Sequence, residues 1–336
     1  MIINMHKLLI DKYEDLTKLL PNITHLTFGG CFNQKIEKEV LPNSLTHLTF
    51  GHSFNQKIEQ GTLPNSLTHL TFGYNFNQQI EKDILPKSLT HLNFVFSFDQ
   101  KIEKEVLPES LTHLNLGAMF YHNIEKGVLP KSLTHLTFGH FFNQKIEKGL
   151  FPNSLTHLTF GVCFNQKIEK EVLPKSLTHL IFNKYSQFNQ KIEKGVLPES
   201  LTYLTFGFMF NQNIEKETLP DLLTHLTFGE CFGQKIEKDD KLNLLIIVSP
   251  KSLTHLTLEC HSYPIETLNI SSLKSLSLPN FNRPFKKLNL LNLNELIFGD
   301  SFNQELNDEN IDVEEITIIV GEKFKEENFK MTNTLF

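Results

Sequence analysis

Ten histidines occupy one column of a pattern that repeats through most of the chain. Imidazole titrates near neutral pH and binds metal ions, so a row of such rings could sense pH, hold a metal or contact a partner. The first eight are spaced by 22 residues, and the set is His25, His47, His69, His91, His113, His135, His157, His179, His225 and His255. Tyr203 takes the same position once.

The histidine column has three interpretations. The first is a surface ladder copied by duplication, in which the rings pack together and hydrogen-bond to neighbouring threonines. The second, compatible with the first, is recognition of a partner protein by this face. The third is incidental capture of a metal ion by histidines on adjacent turns. A built metal site needs three or four converging ligands and supporting carboxylates, and the motif places no acidic residue here. We therefore predict no resident metal and no cofactor.

Closely spaced imidazoles would also affect one another's titration. Rings about 5 Å apart repel when both are protonated, so we predict lowered apparent pKa values and a broad titration for the column. Binding to this face would then be sensitive to acid.

A second column contains serine, which could act as a nucleophile. A catalytic serine would need one exceptional copy with a base and an oxyanion hole, whereas these are equivalent copies. They are Ser44, Ser66, Ser88, Ser110, Ser132, Ser154, Ser176 and Ser200. Hydrogen bonding in turns explains them better. The sequence also contains no phosphate-binding glycine loop, no Cys-x-x-Cys pair and no His-Glu-x-x-His helix. We predict that the protein is not an enzyme and has no catalytic residues.

The histidines lie within an apolar spacing that predicts a strand. In Leu45-x-x-Leu48-x-Phe50, two apolar residues alternate with Thr49, as in a strand with one buried face. Successive turns would stack into a parallel sheet whose open face carries the histidine and threonine columns. We predict that this face binds the partner. The candidate residues are His47, Thr49, His69, Thr71, His91, His113, His135, Thr137, His157, Thr159, His179 and His225.

The segments between strands predict extended returns. A proline column, with Pro42 and Pro64 as examples, precedes the strands. Proline lacks a backbone donor and biases the residue before it to extended geometry, so about 12 residues leave little room for a helix. An asparagine column that includes Asn33, Asn55 and Asn77 is expected to bond backbone groups of its own and adjacent turns. The predicted fold class is a β-rich, leucine-rich-repeat-like solenoid. It has one parallel sheet, extended or 3₁₀ returns, and few or no helices outside an N-terminal cap.

The repeated motif resembles a known family. Phe-Asn-Gln-x-Ile followed by Leu-Pro-x-Ser-Leu-Thr-x-Leu-Thr-Phe-Gly is similar to the FNIP repeat, a leucine-rich-repeat relative of social amoebae and of giant DNA viruses that infect amoebae. The resemblance covers residues 20–238 and resumes at 250–258 and 298–306. It implies a protein-interaction role. Some viral members resemble substrate adaptors with an N-terminal F-box, so an adaptor or decoy in ubiquitin-dependent degradation is the alternative function. The 20 residues before the first repeat are too few for an F-box, which favours a non-catalytic interaction scaffold.

The repeat also predicts how one continuous solenoid is divided. Residues 1–20 form an N-terminal cap with a short helix, 21–238 form ten FNIP repeats of about 22 residues, and 321–336 form a C-terminal cap. Residues 239–320 form irregular and shortened turns, whose motifs end at Leu258, Leu278, Phe298 and Ile318, 20 residues apart. Some of these turns are expected to carry a second strand, near residues 265–270 and 285–290.

Charge and cysteine usage restrict the partner and the compartment. The formal charge is −6, and a lysine column runs beside a glutamate column, so there is no basic face for nucleic acid. The four cysteines are too far apart in the repeat for most pairings and are expected to be free thiols. No apolar run is long enough for a signal peptide or a membrane span. We expect a monomeric, soluble, cytoplasmic protein (in the host cytoplasm if viral) with unidentified protein partners and no membrane contact.

Overall fold

The computed structural model describes residues 7–10, 21–234, 250–261, 263–268, 270–288, 290, 292–311 and 316–331. The chain divides into two compact units, Met1–Phe164 and Asn165–Phe336. No α-helix occurs within those described ranges. Each unit is built from strands of two to four residues joined by extended returns.

The first unit contains one parallel sheet. Among its described residues the strands are β1 (Lys7–Ile10), β2 (His25–Phe28), β3 (His47–Thr49), β4 (His69–Phe72), β5 (His91–Phe94), β6 (His113–Leu116), β7 (His135–Thr137) and β8 (His157–Phe160). They lie in chain order in the sheet. The register places each histidine beside the histidine of the next strand, as in the pairs His47–His69 and His69–His91. The repeat period therefore becomes a column of identical side chains.

The second unit repeats this arrangement with more variation. Its described strands are β9 (His179–Phe182), β10 (Tyr203–Thr205), β11 (His225–Phe228), β12 (His255–Leu258), β13 (Ser275–Leu278), β14 (Glu295–Phe298), β15 (Leu306–Asn307), β16 (Thr317–Ile319) and β17 (Phe329–Lys330). The strands β9 to β14 and β16 form a parallel sheet. The strands β15 and β17 pair separately, in the return segments.

The core of each turn follows the sequence pattern. Leu48 and Phe50 point inward from β3 and are 1% and 2% exposed, and the return residues Phe54 and Ile58 are also buried. The Phe50 and Phe54 rings stack with centroids 3.9 Å apart, and Phe50 stacks on Phe72 of the next turn at 5.4 Å. Thus two phenylalanine columns stack through the interior, beside columns of buried leucine and isoleucine.

Polar ladders connect successive turns. The Asn33 Oδ1 accepts hydrogen bonds from the Asn55 backbone N–H at 2.9 Å and from the Gln56 Nε2 at 3.0 Å. The same arrangement joins Asn55 to the turn that begins at Asn77. The predicted asparagine contacts are therefore present, although most of these atoms are only partly buried. The serine column also links turns: the Ser44 Oγ donates to the Ile23 carbonyl at 2.6 Å.

The returns are extended and contain tight turns. The Pro42 carbonyl accepts the Leu45 N–H at 3.0 Å, which closes a turn just before β3. The returns between β2 and β11 also share a column of residues in the left-handed region, and each position of this column holds either glycine or an acidic residue. It comprises Glu39, Gly61, Asp83, Glu105, Gly127, Gly149, Glu171, Gly195 and Glu217. Short 3₁₀ turns occur at Ile265–Thr267 and Glu326–Asn328.

The predicted fold class is confirmed: the units are leucine-rich-repeat-like solenoids with a parallel sheet, and their described residues include no α-helix. One expectation was wrong over four residues. The N-terminal cap was predicted as a helix, but Lys7–Ile10 is strand β1. Ile10 pairs with Phe28 and occupies the equivalent core position in the preceding strand, where its side chain is 1% exposed. Pairing with β2 thus outweighs the weak helical spacing. The other residues of the predicted cap, 1–6 and 11–20, lie outside the described part of the chain.

The last turn also differs from the prediction. Ile318 pairs with Leu296, so it takes the position of Leu296 and not that of Phe298. The step from β14 to β16 is therefore 22 residues and not 20, and Phe324 accordingly stacks on Phe302 at 5.9 Å. A second strand does occur in the returns, at β15 and β17. The expected positions hold a 3₁₀ turn at Ile265–Thr267 and a single bridge from Leu288 to Ile311. Residues 235–249 and 332–336, with their predicted irregular turn and cap end, lie outside the described residues.

Candidate interaction surface

The predicted partner surface lies on the open side of the sheet in each unit. Strand β3 shows why, since His47 and Thr49 are half-buried whereas Leu48 between them is fully buried. The register brings together ten of the candidate residues in the first unit: His47, Thr49, His69, Thr71, His91, His113, His135, Thr137, His157 and Thr159. His179 and His225 lie in the second unit, on either side of Tyr203. We call the open side in the first unit the strand face.

Seven imidazole rings stack on the strand face. Adjacent ring centroids lie 4.0 to 4.1 Å apart, and the rings are parallel within 13°. This set, which we call the ladder, is His25, His47, His69, His91, His113, His135 and His157. The ring spacing is shorter than the ordinary strand spacing of about 4.8 Å. Stacking of this kind fixes each ring against its neighbours.

A threonine column contacts the ladder. The Thr90 hydroxyl oxygen lies 3.0 Å from the Thr68 carbonyl oxygen and 2.9 Å from the His91 Nδ1. The Thr68 carbonyl also accepts the Thr90 and His91 backbone N–H groups, at 2.9 and 3.0 Å. The threonine thus ties each ring to the strand before it.

This arrangement recurs along the ladder. The Thr68 hydroxyl donates to the Thr46 carbonyl at 3.0 Å and lies 2.9 Å from the His69 Nδ1. The Thr112 hydroxyl does the same for His113, at 3.1 Å and 2.9 Å. The threonines before His47, His135 and His157 repeat both contacts. The threonine contact is thus uniform along these rings.

Protonation of these rings is disfavoured. Burial lowers the pKa of His69 below its ordinary value of 6.5, and the charge of His91 and other ladder rings lowers it further. Burial is also the principal cause of the lowered pKa of His91, His113 and His157. The direction agrees with the expectation from the sequence. The main cause differs, since loss of hydration exceeds repulsion between rings.

The second unit interrupts the column. His179 and Tyr203 stack with centroids 5.4 Å apart, and His225 and His255 stack at 4.1 Å. Burial lowers the pKa of His225. Beyond β12 the register position passes to Ser275 and then Glu295, which accepts a 2.8 Å hydrogen bond from the serine hydroxyl. The long uniform ladder is therefore a property of the first unit.

Sequence reasoning missed an aromatic stack at the strand ends. His52 stacks on Tyr74 at 4.6 Å, and Tyr74 stacks on Phe96 at 4.1 Å. His52 and Tyr74 follow Gly51 and Gly73 at the strand ends, and Phe96 follows Val95 at the equivalent position, where the repeat varies. Tyr74 is 37% exposed, and Phe141 farther along the same unit is 44% exposed. Only aromatic content in an otherwise variable column could have indicated this stack.

The geometry offers little to a metal ion. Parallel rings direct their Nε2 lone pairs in the same direction, whereas metal ligands must converge on one point. Within the described ranges, no group of three or more His, Cys, Asp or Glu side chains is placed to hold a metal. Cys31, Cys163, Cys231 and Cys260 are free thiols, and burial raises the pKa of Cys260 to about 11.

The return side of the solenoid carries compensated charge. Lys35 pairs with Glu59 of the next turn at 3.0 Å, and Lys57 pairs with Glu81 at 2.8 Å. The pairs Lys101–Glu125 and Lys167–Glu193 repeat this link in the two units. The side chains are about half exposed, so each pair adds little stability. The lysine column is thus neutralised by glutamates, while Lys235 and Glu237 lie outside the described residues.

The architecture and this surface define a class of protein. The chain is a leucine-rich-repeat-like scaffold, of a kind typical of protein–protein interaction. More specifically, it belongs to the FNIP repeat family. The FNIP repeat model matches residues 18–53, 54–97, 98–141, 142–185, 164–209, 188–231 and 210–261. In the described part of the chain, no helix has the length and apolar character needed to cross a bilayer.

The comparison with solved structures found several similar chains. The crystal structure of CroV588, a circular LRR protein of a giant virus, is 44% identical with a TM-score of 0.62. The match covers 95% of this chain and 52% of CroV588, so the chain spans about half the length of that relative. The Toll–Spatzle complex of Drosophila is 13% identical with a TM-score of 0.51, and the match covers 91% and 44% of the two chains. YopM from Yersinia enterocolitica WA-314 is 19% identical with a TM-score of 0.40, and the match covers 94% of this chain and 60% of YopM. No curated protein matches the chain.

Proposed function

We propose that this chain is a non-catalytic scaffold that binds a protein partner through the strand face. The observation that carries the proposal is the uniform half-exposed row of histidines and threonines on β3 to β8. In solenoids, the stacked strands present a continuous surface of this kind for recognition. Membership of the FNIP family and the leucine-rich-repeat-like fold support the same role.

Two features make the strand face suitable for binding. Its rings are held by stacking and by the threonine contacts, so little side-chain freedom would be lost when a partner binds. Exposed aromatic rings, Tyr74 and Phe141, follow strands β4 and β7 of the same unit, and aromatic side chains are enriched at protein interfaces. The return side instead carries compensated ion pairs, which contribute little to affinity when exposed.

The test compares two multiple variants of the full chain. The strand-face variant changes His91, His113, His135 and His157 to Ser. The matched control changes four return-side lysines to Ser: Lys57, Lys101, Lys145 and Lys167. Both would be used as bait in host-cell lysate beside the wild type, and circular dichroism would verify that both fold.

The captured partner would then be purified and titrated against each variant by calorimetry. We expect the control to bind like the wild type and the strand-face variant to lose at least about tenfold in affinity, or 1.4 kcal/mol. Equal affinity of the two variants for the purified partner would contradict the proposal and direct attention to the irregular turns of the second unit.

A further inference from the structure

We propose that the partner is recognised at an uncharged patch built on β5 and β6, which takes an extended protein segment with a large apolar side chain. This inference rests on the proposed function and specifies where the partner binds and with which chemistry. The residues concerned, which we call the central patch, are Tyr74, Asn93, Val95, Phe96 and Asn115.

The repeat provides an internal comparison for the central patch. The third position of strands β3, β4, β7 and β8 holds threonine, whereas the same position of β5 and β6 holds Asn93 and Asn115, which pair in register. The residue after the strand is Gly73 in the turn before and Gly117 in the turn after, whereas Val95 takes this position after β5. Asn93 is half-buried and Val95 is 46% exposed, so neither fills the core. The fold does not require these departures, and recognition of a partner explains why they lie together.

The two carboxamides offer hydrogen bonds to a partner. The Asn115 Oδ1 accepts the Gly117 N–H at 3.2 Å, which leaves the Asn115 Nδ2 as the donor for a partner. The Asn93 Oδ1 is a buried acceptor with no hydrogen-bond partner among the described residues. A buried acceptor without a partner costs free energy, and rotation of the Asn93 carboxamide towards a bound segment would remove that cost.

The complement of a carboxamide in a protein partner is a peptide group. Each carboxamide has donors and an acceptor, and a peptide group offers one N–H donor and one carbonyl acceptor in return. In a helix or in the interior of a sheet both peptide groups are already used. The segment that binds Asn93 and Asn115 is therefore extended or irregular.

Apolar side chains adjoin the carboxamides. Val95 lies two residues after Asn93, so their Cα atoms are at most about 7 Å apart. Phe96 follows Val95 directly, and its ring stacks on the ring of Tyr74 with centroids 4.1 Å apart. Val95 and Tyr74 are 46% and 37% exposed. Exposed aromatic and apolar groups of this kind are favoured at the centre of interfaces, so they suit a large apolar side chain of the segment.

The central patch has no charge to pair with a charged segment. Strands β4, β5 and β6 contain no Asp, Glu, Lys or Arg, and neither do the residues that follow them, 73–76, 95–98 and 117–120. Burial lowers the pKa of His69, His91 and His113 below 6.5, so these rings are neutral at pH 7.5. A charged side chain buried here would lose its hydration without gaining an opposite charge. The segment in contact with the patch is therefore uncharged.

The variants for the test use residues that other turns of the repeat already hold. The carboxamide variant is Asn93→Thr with Asn115→Thr, and a second variant is Val95→Gly. The matched control, Ile181→Thr with Tyr203→His, makes two changes of the same kind on β9 and β10 in the second unit. Circular dichroism and thermal unfolding of each full-length protein would verify that it folds.

The probes would be peptides selected from a random dodecapeptide library displayed on phage. The library would be selected against the immobilised full-length wild type at pH 7.5. Enriched peptides would then be synthesised with a fluorophore, and fluorescence anisotropy would give their Kd for the wild type and each variant. An N-methyl scan of one peptide would remove its backbone N–H groups one at a time and leave its side chains unchanged.

We expect the enriched peptides to share a large apolar residue flanked by uncharged residues. They should bind the wild type and the control within about twofold of one another. The carboxamide variant and the Val95→Gly variant should each bind at least about tenfold more weakly. N-methylation at one position should weaken binding to the wild type about tenfold, and it should have no further effect on the carboxamide variant, where that hydrogen bond is already lost.

Several results would overturn the inference. They are enrichment of charged motifs, absence of any enriched peptide, equal binding to the carboxamide variant and the control, and N-methyl effects that persist in the carboxamide variant. Sedimentation velocity would test a second copy of this chain as the occupant, because a dimer that the carboxamide variant abolishes would assign the patch to self-association.

The natural partner distinguishes this inference from the proposed function. The purified partner would be titrated against the carboxamide variant beside the strand-face variant with four histidines replaced. If it bound the carboxamide variant like the wild type but lost affinity for the strand-face variant, the proposed function would stand and only the central patch would fall.

Discussion

The Gly51 carbonyl lies directly against the position that a Cβ atom would take on Gly73. The oxygen would be 1.8 Å from that Cβ, far inside van der Waals contact. The same approach occurs one turn earlier, where a Cβ on Gly51 would lie 2.0 Å from the Gly29 oxygen. Where glycine follows a strand, its missing Cβ thus allows the backbone of one turn to pass against the backbone of the preceding turn.

This contact predicts the effect of adding a single methyl group. We expect Gly73→Ala to destabilise the protein by about 2 kcal/mol, since backbone must move to admit the Cβ. Urea unfolding followed by circular dichroism would measure the change. The matched control is Gly30→Ala, because a Cβ on Gly30 would meet nothing within 4 Å. A Gly73 variant as stable as the Gly30 variant would show that the turns can separate at no cost.

The exceptions in this glycine column show how the backbone adapts. Val95 takes the position in the turn after Gly73, where its side chain is 46% exposed, and the next glycine, Gly117, adopts φ +62°. Asn183 takes the position just before the lengthened loop at residues 184–187. At both exceptions, a side chain at this position is accompanied by a longer loop or by a changed backbone angle. The backbone can therefore adjust to a Cβ atom, and this adjustment limits the destabilisation expected for Gly73→Ala.

Most of the fold follows from the repeat, but these backbone details do not. The alternation of Leu48, Thr49 and Phe50 was enough to assign the buried and open sides of the sheet. Strand β1 was missed, because Lys7–Ile10 has only Leu8 and Ile10 in alternation and none of the motif around it. Ile318 was placed two residues out of register, since alternating isoleucines fit either assignment and only the pairing with Leu296 decides.

The left-handed column provides a second prediction. Glu39 has φ +63°, whereas glycine takes the equivalent position at Gly61 with φ +85°. A side chain in this region costs roughly 1–2 kcal/mol of stability. Replacement by glycine removes that cost, but the greater freedom of glycine in the unfolded chain offsets part of the gain. We expect Glu39→Gly to stabilise the protein by about 0.5 kcal/mol. Glu39→Ala keeps the backbone penalty and is the control in the same urea titration. Greater stability of the Ala variant would contradict this explanation.

Thr62 provides a third prediction. Its side chain is 2% exposed, and its hydroxyl has no hydrogen-bond partner among the described residues. Equivalent positions hold aliphatic residues, such as Ile84 and Val106. Replacing an unsatisfied buried hydroxyl by a methyl group removes its desolvation cost, so we expect Thr62→Val to stabilise the protein by about 1 kcal/mol.

The control for Thr62 is the same substitution at a bonded threonine. Thr90→Val loses the hydrogen bond to the Thr68 carbonyl and the contact with His91, and should destabilise the protein by about 1 kcal/mol. Thermal unfolding of both variants would compare them. If both changes shifted stability in the same direction, the hydroxyl contacts would not be the cause.

The candidate surface was predictable in position but not in chemistry. The repeat places His69, His91 and His113 in one column, and alternation places that column on the open side of the sheet. The protonated nitrogen depends on whether the hydroxyl of Thr90 donates to the Thr68 carbonyl or to the ring. The contact with the carbonyl joins two turns, and the sequence does not give the distance between them.

The ladder makes stability depend on pH in a defined window. The pKa of His69, His91, His113 and His157 is lowered below 6.5 in the folded state, chiefly by burial. As pH falls below that value, the unfolded chain therefore binds more protons than the folded chain does. The free energy of unfolding must then decrease. The contribution of these rings is complete above pH 6.5 and is lost as pH falls through the folded-state pKa values.

A variant without titratable rings would isolate this effect. Replacing His69, His91, His113 and His157 by Asn removes the four groups, so its Tm should fall less between pH 7.5 and 5 than the Tm of the wild type. Glu59, Glu105 and Glu125 have a pKa below 4.5, so the stability that they contribute is lost only at lower pH. Both proteins should therefore lose stability in that more acidic range. Parallel Tm curves for the two proteins down to pH 5 would mean that the ladder is as easily protonated in the fold as in the unfolded chain. The lowered pKa of the ladder would then be lost as an explanation for acid-sensitive binding.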